Sequence, residues 1–186
     1  MKQYLITDPS YYSSNPQIFK QKLTKVLSTC KPDFICLRDK ETLNYTPLAY
    51  VLKEIETPAK CILHTDYKLA AKLGFYGVHL PSHRFEDIQK AKKLGLHVIV
   101  STHTLDEALH VEKLGADFIT YSPIFFTPNK GEPKGLEKLK EINDKINTKC
   151  FALGGIIEDE HISSCKEVGS YGFASIRYFL KKVIDV

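Results

Sequence analysis

The chain has 186 residues, 43% of them hydrophobic and 26% charged, with a formal net charge of +4. That composition suits a globular chain of one domain, 1–186, and the length is ample for a sizeable core. The lysines are spread over helix faces such as "KAKK" and "KLKEINDK". They form no basic stripe between aromatics, which argues against a nucleic-acid partner, and no apolar run reaches the roughly 18 residues of a membrane span.

In chain order, the opening "MKQYLITDPSYY" has no long apolar stretch behind its lysine, so it does not read as a secretory leader. With five scattered cysteines and no C-x-x-C pair, the expected setting is cytoplasmic, with reduced thiols. Strand patterns fall at 3–7, 34–38, 59–64, 77–80, 97–101, 117–122, 149–154 and 171–176. Helical patterns lie between them, for example at 16–29, 45–55, 85–93, 104–113 and 135–145. In "IFKQKLTKVL", Ile18, Leu23, Val26 and Leu27 sit close to helical spacing. Thr104 followed by Glu107 reads as a capping box. Gly74, Gly95, Gly115 and Gly169 each stand between a helical segment and a β-branched or aromatic run, as helix-ending glycines do. Strands such as "HVIV" and "FICL" are apolar on consecutive residues, the mark of a parallel sheet buried on both faces. Eight such units predict an α/β fold, a small single-domain (β/α)8 TIM barrel; a doubly wound sheet is the alternative.

In a barrel, chemistry gathers where strands exit into helices. Those exits are Thr7-Asp8, Arg38-Asp39-Lys40, His64-Thr65-Asp66, Pro81-Ser82, Ser101-Thr102-His103, Ser122 to Lys130, Gly154-Gly155 and Ser175 to Arg177. Cations, hydroxyls and glycines on one rim are the chemistry of phosphate binding. The exit at "YSPIFFTPNKG" is unusually long, and Pro123 and Pro128 would stiffen it.

The exits taken together resemble the thiamine-phosphate synthase/TenI family over essentially the whole chain. "YLITD" is similar to the family's opening strand, and "CLRDK" to its "QLREK". "HTDYKLAAKLGFYGVHLPS", "VSTHTLDEA", "GADFITYSPIFFTPNKG" and "FALGGI" follow in family order. The resemblance implies a transferase of thiamine biosynthesis that couples an aminopyrimidine diphosphate to a thiazole phosphate and releases diphosphate. It implies that Arg38, Lys40, Thr127 and Lys130 hold diphosphate oxygens, and that Asp66 is one of two Mg²⁺ carboxylates. Ser101 and His103 match the strand-five exit, and Gly154-Gly155 the thiazole-phosphate cradle.

Five positions depart from the synthase pattern. Cys36 replaces a Gln, Thr65 an Asn, Arg84 the second Mg²⁺ carboxylate, Asn129 a Thr and Arg177 a Ser. Thr65, Asn129 and Arg177 remain at substrate-binding positions with changed side chains. Arg84 at a ligand position makes Mg²⁺ doubtful and offers a cation to diphosphate instead. The TenI branch, a thiazole tautomerase, is matched by Pro81-Ser82, but its catalytic His falls at Pro123; His83 and His103 are the nearby substitutes. Three readings stay open: a synthase of altered or low activity, a TenI-like isomerase, and a non-catalytic binder of thiazole or thiamine phosphate. The implied partners are phosphorylated small molecules, and a homo-oligomer is left open.

Overall fold

The computed structural model describes residues 1–184. Eight parallel strands close into a barrel in sequence order, β1-β2-β3-β4-β5-β6-β7-β8. They are β1 (Lys2–Ile6), β2 (Phe34–Leu37), β3 (Lys60–His64), β4 (Gly77–Leu80), β5 (His97–Thr102), β6 (Phe118–Tyr121), β7 (Lys149–Leu153) and β8 (Gly172–Ser175). Closure is made by β1 on β8, with Tyr4 opposite Ala174. Every residue of β2, β4, β6 and β8 is buried, as continuous apolar runs require when helices cover one face and the lumen fills the other.

The helices are α1 (Pro9–Tyr12), α2 (Pro16–Thr29), α3 (Thr46–Glu54), α4 (Tyr67–Lys72), α5 (Ile88–Lys93), α6 (Leu105–Lys113), α7 (Gly135–Lys145), α8 (Asp159–Glu167) and α9 (Arg177–Ile184). α2 starts where predicted because the Asn15 side chain accepts from the amides of Gln17 and Ile18, with Pro16 in the first turn. Its buried stripe is Phe19, Leu23 and Val26; Ile18, expected on that stripe, is exposed and Leu27 only partly buried. Thr104 caps α6 by accepting from Glu107 N at 3.1 Å. The Glu107 carboxylate reaches one residue further back than a simple capping box, to His103 N at 2.6 Å. The helix predicted at 85–93 is instead a 3₁₀ segment, Ser82–Asp87, followed by α5; Arg84 interrupts it with φ −114° and ψ 28°. Gly74, Gly95, Gly115 and Gly169 all have positive φ, as the helix-ending reading requires.

The barrel lumen is plugged at its N-terminal end by aromatic rings. Phe34 lies 5.6 Å from Phe118 and 5.4 Å from Phe151, both edge-on, and Tyr4 is 5.2 Å from Phe151. Gly172 makes room for the plug: a Cβ there would stand 2.5 Å from the Phe151 ring. Inward and outward residues alternate along each strand, so in β6 Phe118 joins the luminal cluster and Ile119 the cluster under the helices. The same alternation puts Arg38, His64, His79, Ser101 and Thr120 toward the C-terminal half of the lumen.

Candidate functional site

The β2 exit is held by β1. Arg38 N donates to Thr7 Oγ1 at 3.0 Å, and the Arg38 guanidinium donates to Asp8 Oδ2 at 2.7 Å. Asp8 is fixed in turn by Ser10, whose backbone N–H and hydroxyl both donate to it. Asp39 is structural rather than ligand-facing. It is buried and accepts from Ser14 Oγ, Thr42 Oγ1 and the amides of Glu41 and Thr42, which pins the loop carrying Lys40.

Lys40 has no recorded hydrogen bond or ion pair among the described residues, nor does the Lys130 side chain. Burial pushes the Lys40 amine below its ordinary range, and the charges of Arg38 and Lys130 push it the same way. β2 and β6 stand on opposite sides of the barrel. The long β6–α7 loop therefore reaches across the mouth to bring Lys130 within electrostatic range of Lys40.

That loop lies directly on the β7 exit. Ile124 N donates to Leu153 O at 2.9 Å and Phe125 N to Gly154 O at 3.0 Å. A Cβ at Gly154 would meet Pro123 Cα at 2.7 Å, and one at Gly155 would meet Phe126 O at 2.6 Å. Both glycines also have positive φ, 99° and 69°. Close backbone approach alone thus demands Gly-Gly here, whatever else the pair binds. Thr127 Oγ1 donates to Phe125 O at 3.1 Å, so its hydroxyl is engaged within the loop. Asn129 has φ 61°, a conformation asparagine tolerates better than threonine, which explains the residue standing there. Ser175 stitches the neighbouring exits together: its Oγ donates to Ile156 O at 2.7 Å and accepts from Tyr178 N at 3.2 Å. Arg177 opens α9 beside this stitch, half-buried and without a recorded side-chain partner among the described residues.

Other predicted residues are committed elsewhere. Asp66 caps α4, accepting from Leu69 N at 2.9 Å. Thr65 holds φ 71°, a strained value for a β-branched residue, and its hydroxyl bonds His64 Nδ1 at 2.8 Å. The His103 ring bonds the Ser122 carbonyl through Nδ1 at 3.0 Å, clipping the β5 exit to the β6 exit. Arg84 does not present a free cation. Its Nε donates to Asp87 Oδ2 at 2.6 Å, and Asp87 also accepts from Lys90 at 2.9 Å. The expectation that Arg84 offsets ligand charge is corrected by this pairing, since Asp87 is only 3% exposed and needs its cations. Among the described residues no group of three His, Cys, Asp or Glu is placed to hold a metal.

Sequence reasoning missed two luminal residues, Tyr4 and His79. The Tyr4 hydroxyl is 2.9 Å from His79 Nδ1, and His79 Nε2 is 2.9 Å from Ser101 Oγ. A histidine between Val78 and Leu80 in an otherwise apolar strand was the available signal. Burial pushes His79 down to about 3, with Arg38 and Lys40 adding to the shift, so the ring is neutral.

Comparison with known proteins speaks to family and fold. The sequence profile of the family described as thiamine monophosphate synthase matches residues 3–179. A protein of Aquifex aeolicus named "Putative thiamine-phosphate synthase 2" is 36% identical, covering 96% of this chain and 97% of its own. The thiamine-phosphate synthase of Clostridium acetobutylicum is 30% identical over 94% of this chain and 85% of its own. Among solved structures, the thiamine phosphate pyrophosphorylase from Pyrococcus furiosus superposes with a TM-score of 0.76 at 24% identity, covering 99% of this chain and 95% of that one, and shares the barrel fold. No helix among the described residues is long and apolar enough to cross a membrane. The eight-stranded barrel, the order of its exits and a profile match running almost end to end place this chain in the thiamine monophosphate synthase family.

Proposed function

We propose that the chain is a thiamine-phosphate synthase of reduced activity, acting on an aminopyrimidine diphosphate and a thiazole phosphate. The observation that carries this reading is the pair Lys40 and Lys130, two cations within electrostatic range of each other and without a side-chain ion pair among the described residues; the one opposing charge on Lys40, Asp8, is already held by Arg38. Like charges held together without a direct ion pair favour an anion that bridges them, and a diphosphate has the charge and span to do so. In the reaction the thiazole nitrogen gives its lone pair to the methylene carbon of the pyrimidine. The C–O bond to diphosphate breaks, and its electron pair leaves on the phosphate oxygen. Charge grows on that oxygen, where Lys40, Lys130 and the Asp8-held Arg38 stabilise it. The Gly154-Gly155 exit, the start of α9 and Arg177 form the second anion site, suited to the thiazole phosphate.

Thr127 shares a turn with Lys130, whose N–H donates to its carbonyl at 3.2 Å, Asn129 lies within that turn, and His103 clips the loop base at Ser122. The donor set does not fit a two-carboxylate Mg²⁺ site: Asp66 is a helix cap and Arg84 is tied to Asp87. No step is therefore routed through a metal.

Purified protein supplied with both substrates tests the reading. Thiamine phosphate and diphosphate should appear in equal amounts, and Lys130→Ala should abolish most of that turnover. Interconversion of thiazole carboxylate isomers without coupling would overturn the reading in favour of an isomerase. Tight thiazole-phosphate binding without either reaction would overturn it in favour of a binding protein.

A further inference from the structure

A buried chain of hydrogen bonds crosses the lumen from β1 to β5: Tyr4 hydroxyl, His79 Nδ1, His79 Nε2, Ser101 Oγ, each link 2.9 Å. Tyr4 is fully buried and His79 is 3% exposed. The thiol of Cys36 lies against the Tyr4 hydroxyl and contributes to holding the phenol protonated. Thr120, the register partner of Ser101 on β6, has a buried hydroxyl with no partner among the described residues.

We propose that Tyr4 and His79 are positioning residues that hold Ser101 as an obligate hydrogen-bond donor toward an anionic oxygen of the substrate. A neutral imidazole has one N–H and one bare nitrogen, so the ring imposes a direction on the whole chain. If Nδ1 is bare, the phenol donates to a strong acceptor, and the Cys36 thiol donates to the phenol oxygen. If Nδ1 carries the proton, the phenol accepts it and is left with only the Cys36 sulfur, a weak acceptor, for its own hydrogen. The first arrangement wins because a buried phenol left with a poor acceptor keeps an uncompensated desolvation cost. Nε2 then carries the N–H and donates to Ser101 Oγ. No other acceptor for Ser101 is recorded among the described residues, so its own hydrogen points to whatever enters the mouth.

This direction matters for phosphate chemistry. Ester and diphosphate oxygens that carry charge only accept hydrogen bonds. A serine whose proton was taken by histidine would face them with lone pairs; Ser101 faces them with an O–H. Burial, together with Arg38 and Lys40, keeps the ring neutral, so it is the tautomer that sets the direction of the chain. His64, whose ring centroid is 5.8 Å from that of His79, is pushed down to about 2, chiefly by burial, so it is neutral as well and places no second positive charge beside the chain.

The inference that the acceptor is a substrate oxygen rests on the synthase reading, but the tautomer does not. Nitrogen-15 NMR of ligand-free protein labelled at histidine reads the tautomer directly. The expected result is Nε2–H with a bare Nδ1 at His79 in the wild type, and a mixture of tautomers in Tyr4→Phe. In steady-state turnover Tyr4→Phe should lower kcat at least about tenfold with KM changed less than about twofold, the pattern of a lost orienting partner. His79→Gln, whose amide N–H can still reach Ser101, should retain more turnover than His79→Phe at matched unfolding midpoints. Nδ1–H at His79 in the wild type overturns the proposal, as does an unchanged kcat in Tyr4→Phe. Nε2–H in a protein with no synthase turnover overturns the functional reading instead.

Discussion

The two ends of the barrel treat their charges in opposite ways. At the N-terminal end Lys2, Lys60, Lys92 and Lys149 each have a resting place. Lys2 pairs with Asp33 at 2.6 Å and Lys92 with Asp117 at 2.7 Å, and each aspartate also accepts a strand amide. Lys60 sits 4.5 Å above the Tyr76 ring, and Lys149 sits 5.2 Å above Tyr171. At the C-terminal end Lys40 and Lys130 repel each other with no ion pair to either among the described residues, Thr65 holds a strained backbone, and the Thr120 hydroxyl has no partner among the described residues. One end satisfies its groups within the chain and serves stability. The other leaves groups without partners among the described residues, where the proposed function seats its ligand.

The largest expected effect lies at the satisfied end. Phe151→Ala removes the ring that touches Tyr4, Phe34 and Phe118 in the plug and should cost about 3–5 kcal/mol in urea unfolding. Any loss of turnover per folded molecule should run through Tyr4, whose ring packs on Phe151, and should not exceed that of Tyr4→Phe. A larger loss of kcat at intact stability would break the division between the ends.

The mirror-image variant is Lys130→Ala. It should lower kcat/KM by about 10²–10³, the usual cost of removing a group aimed at developing charge. Its unfolding midpoint should hold or rise, since a repulsive neighbour of Lys40 is gone. A drop in the midpoint would mean that Lys130 is structural.

The buried imidazole gives a pH signature. The folded value of His79 lies far below that of an unfolded histidine, so its stabilising contribution is complete above pH 6.5 and is lost as pH falls toward 3. His79 should therefore cost about 2 kcal/mol of stability between pH 7 and pH 5. His79→Gln should remove that part of the slope; an unchanged slope would show that His79 is not the group responsible.

The smallest effect concerns Arg84. Arg84→Asp strips one cation from the buried Asp87 and adds a like charge, so stability should fall by about 1–2 kcal/mol. Titration calorimetry should show no gain of Mg²⁺ binding; a new Mg²⁺ site in this variant would revive the two-carboxylate reading.

The fold was legible because it is written in local rules. The glycines at 74, 95, 115 and 169 end helices, Thr104 and Asn15 begin them, and the apolar runs alternate with them in a fixed rhythm. The rim was legible for Arg38, Lys40 and Lys130, whose charge has no core use. Pairwise facts were not. Nothing in "HRFED" says that Arg84 is bound to Asp87, because a salt bridge three residues apart is optional on any helix turn. The Gly154-Gly155 pair read as an anion cradle, yet the loop pressing on it needs the same glycines for clearance. Tyr4 and His79 passed as strand residues because their meaning arises only when β1 and β4 face one another across the lumen.

The central claim is that the mouth, and not the opposite end, waits for an anion. Its most direct test is calorimetric titration of metal-free inorganic diphosphate into the wild type, Lys40→Ala, Lys130→Ala and Lys149→Ala. Each mouth variant should weaken binding about tenfold or more, while Lys149→Ala should stay within about twofold of wild type. Equal affinity in all four proteins, or a loss confined to Lys149→Ala, would contradict it.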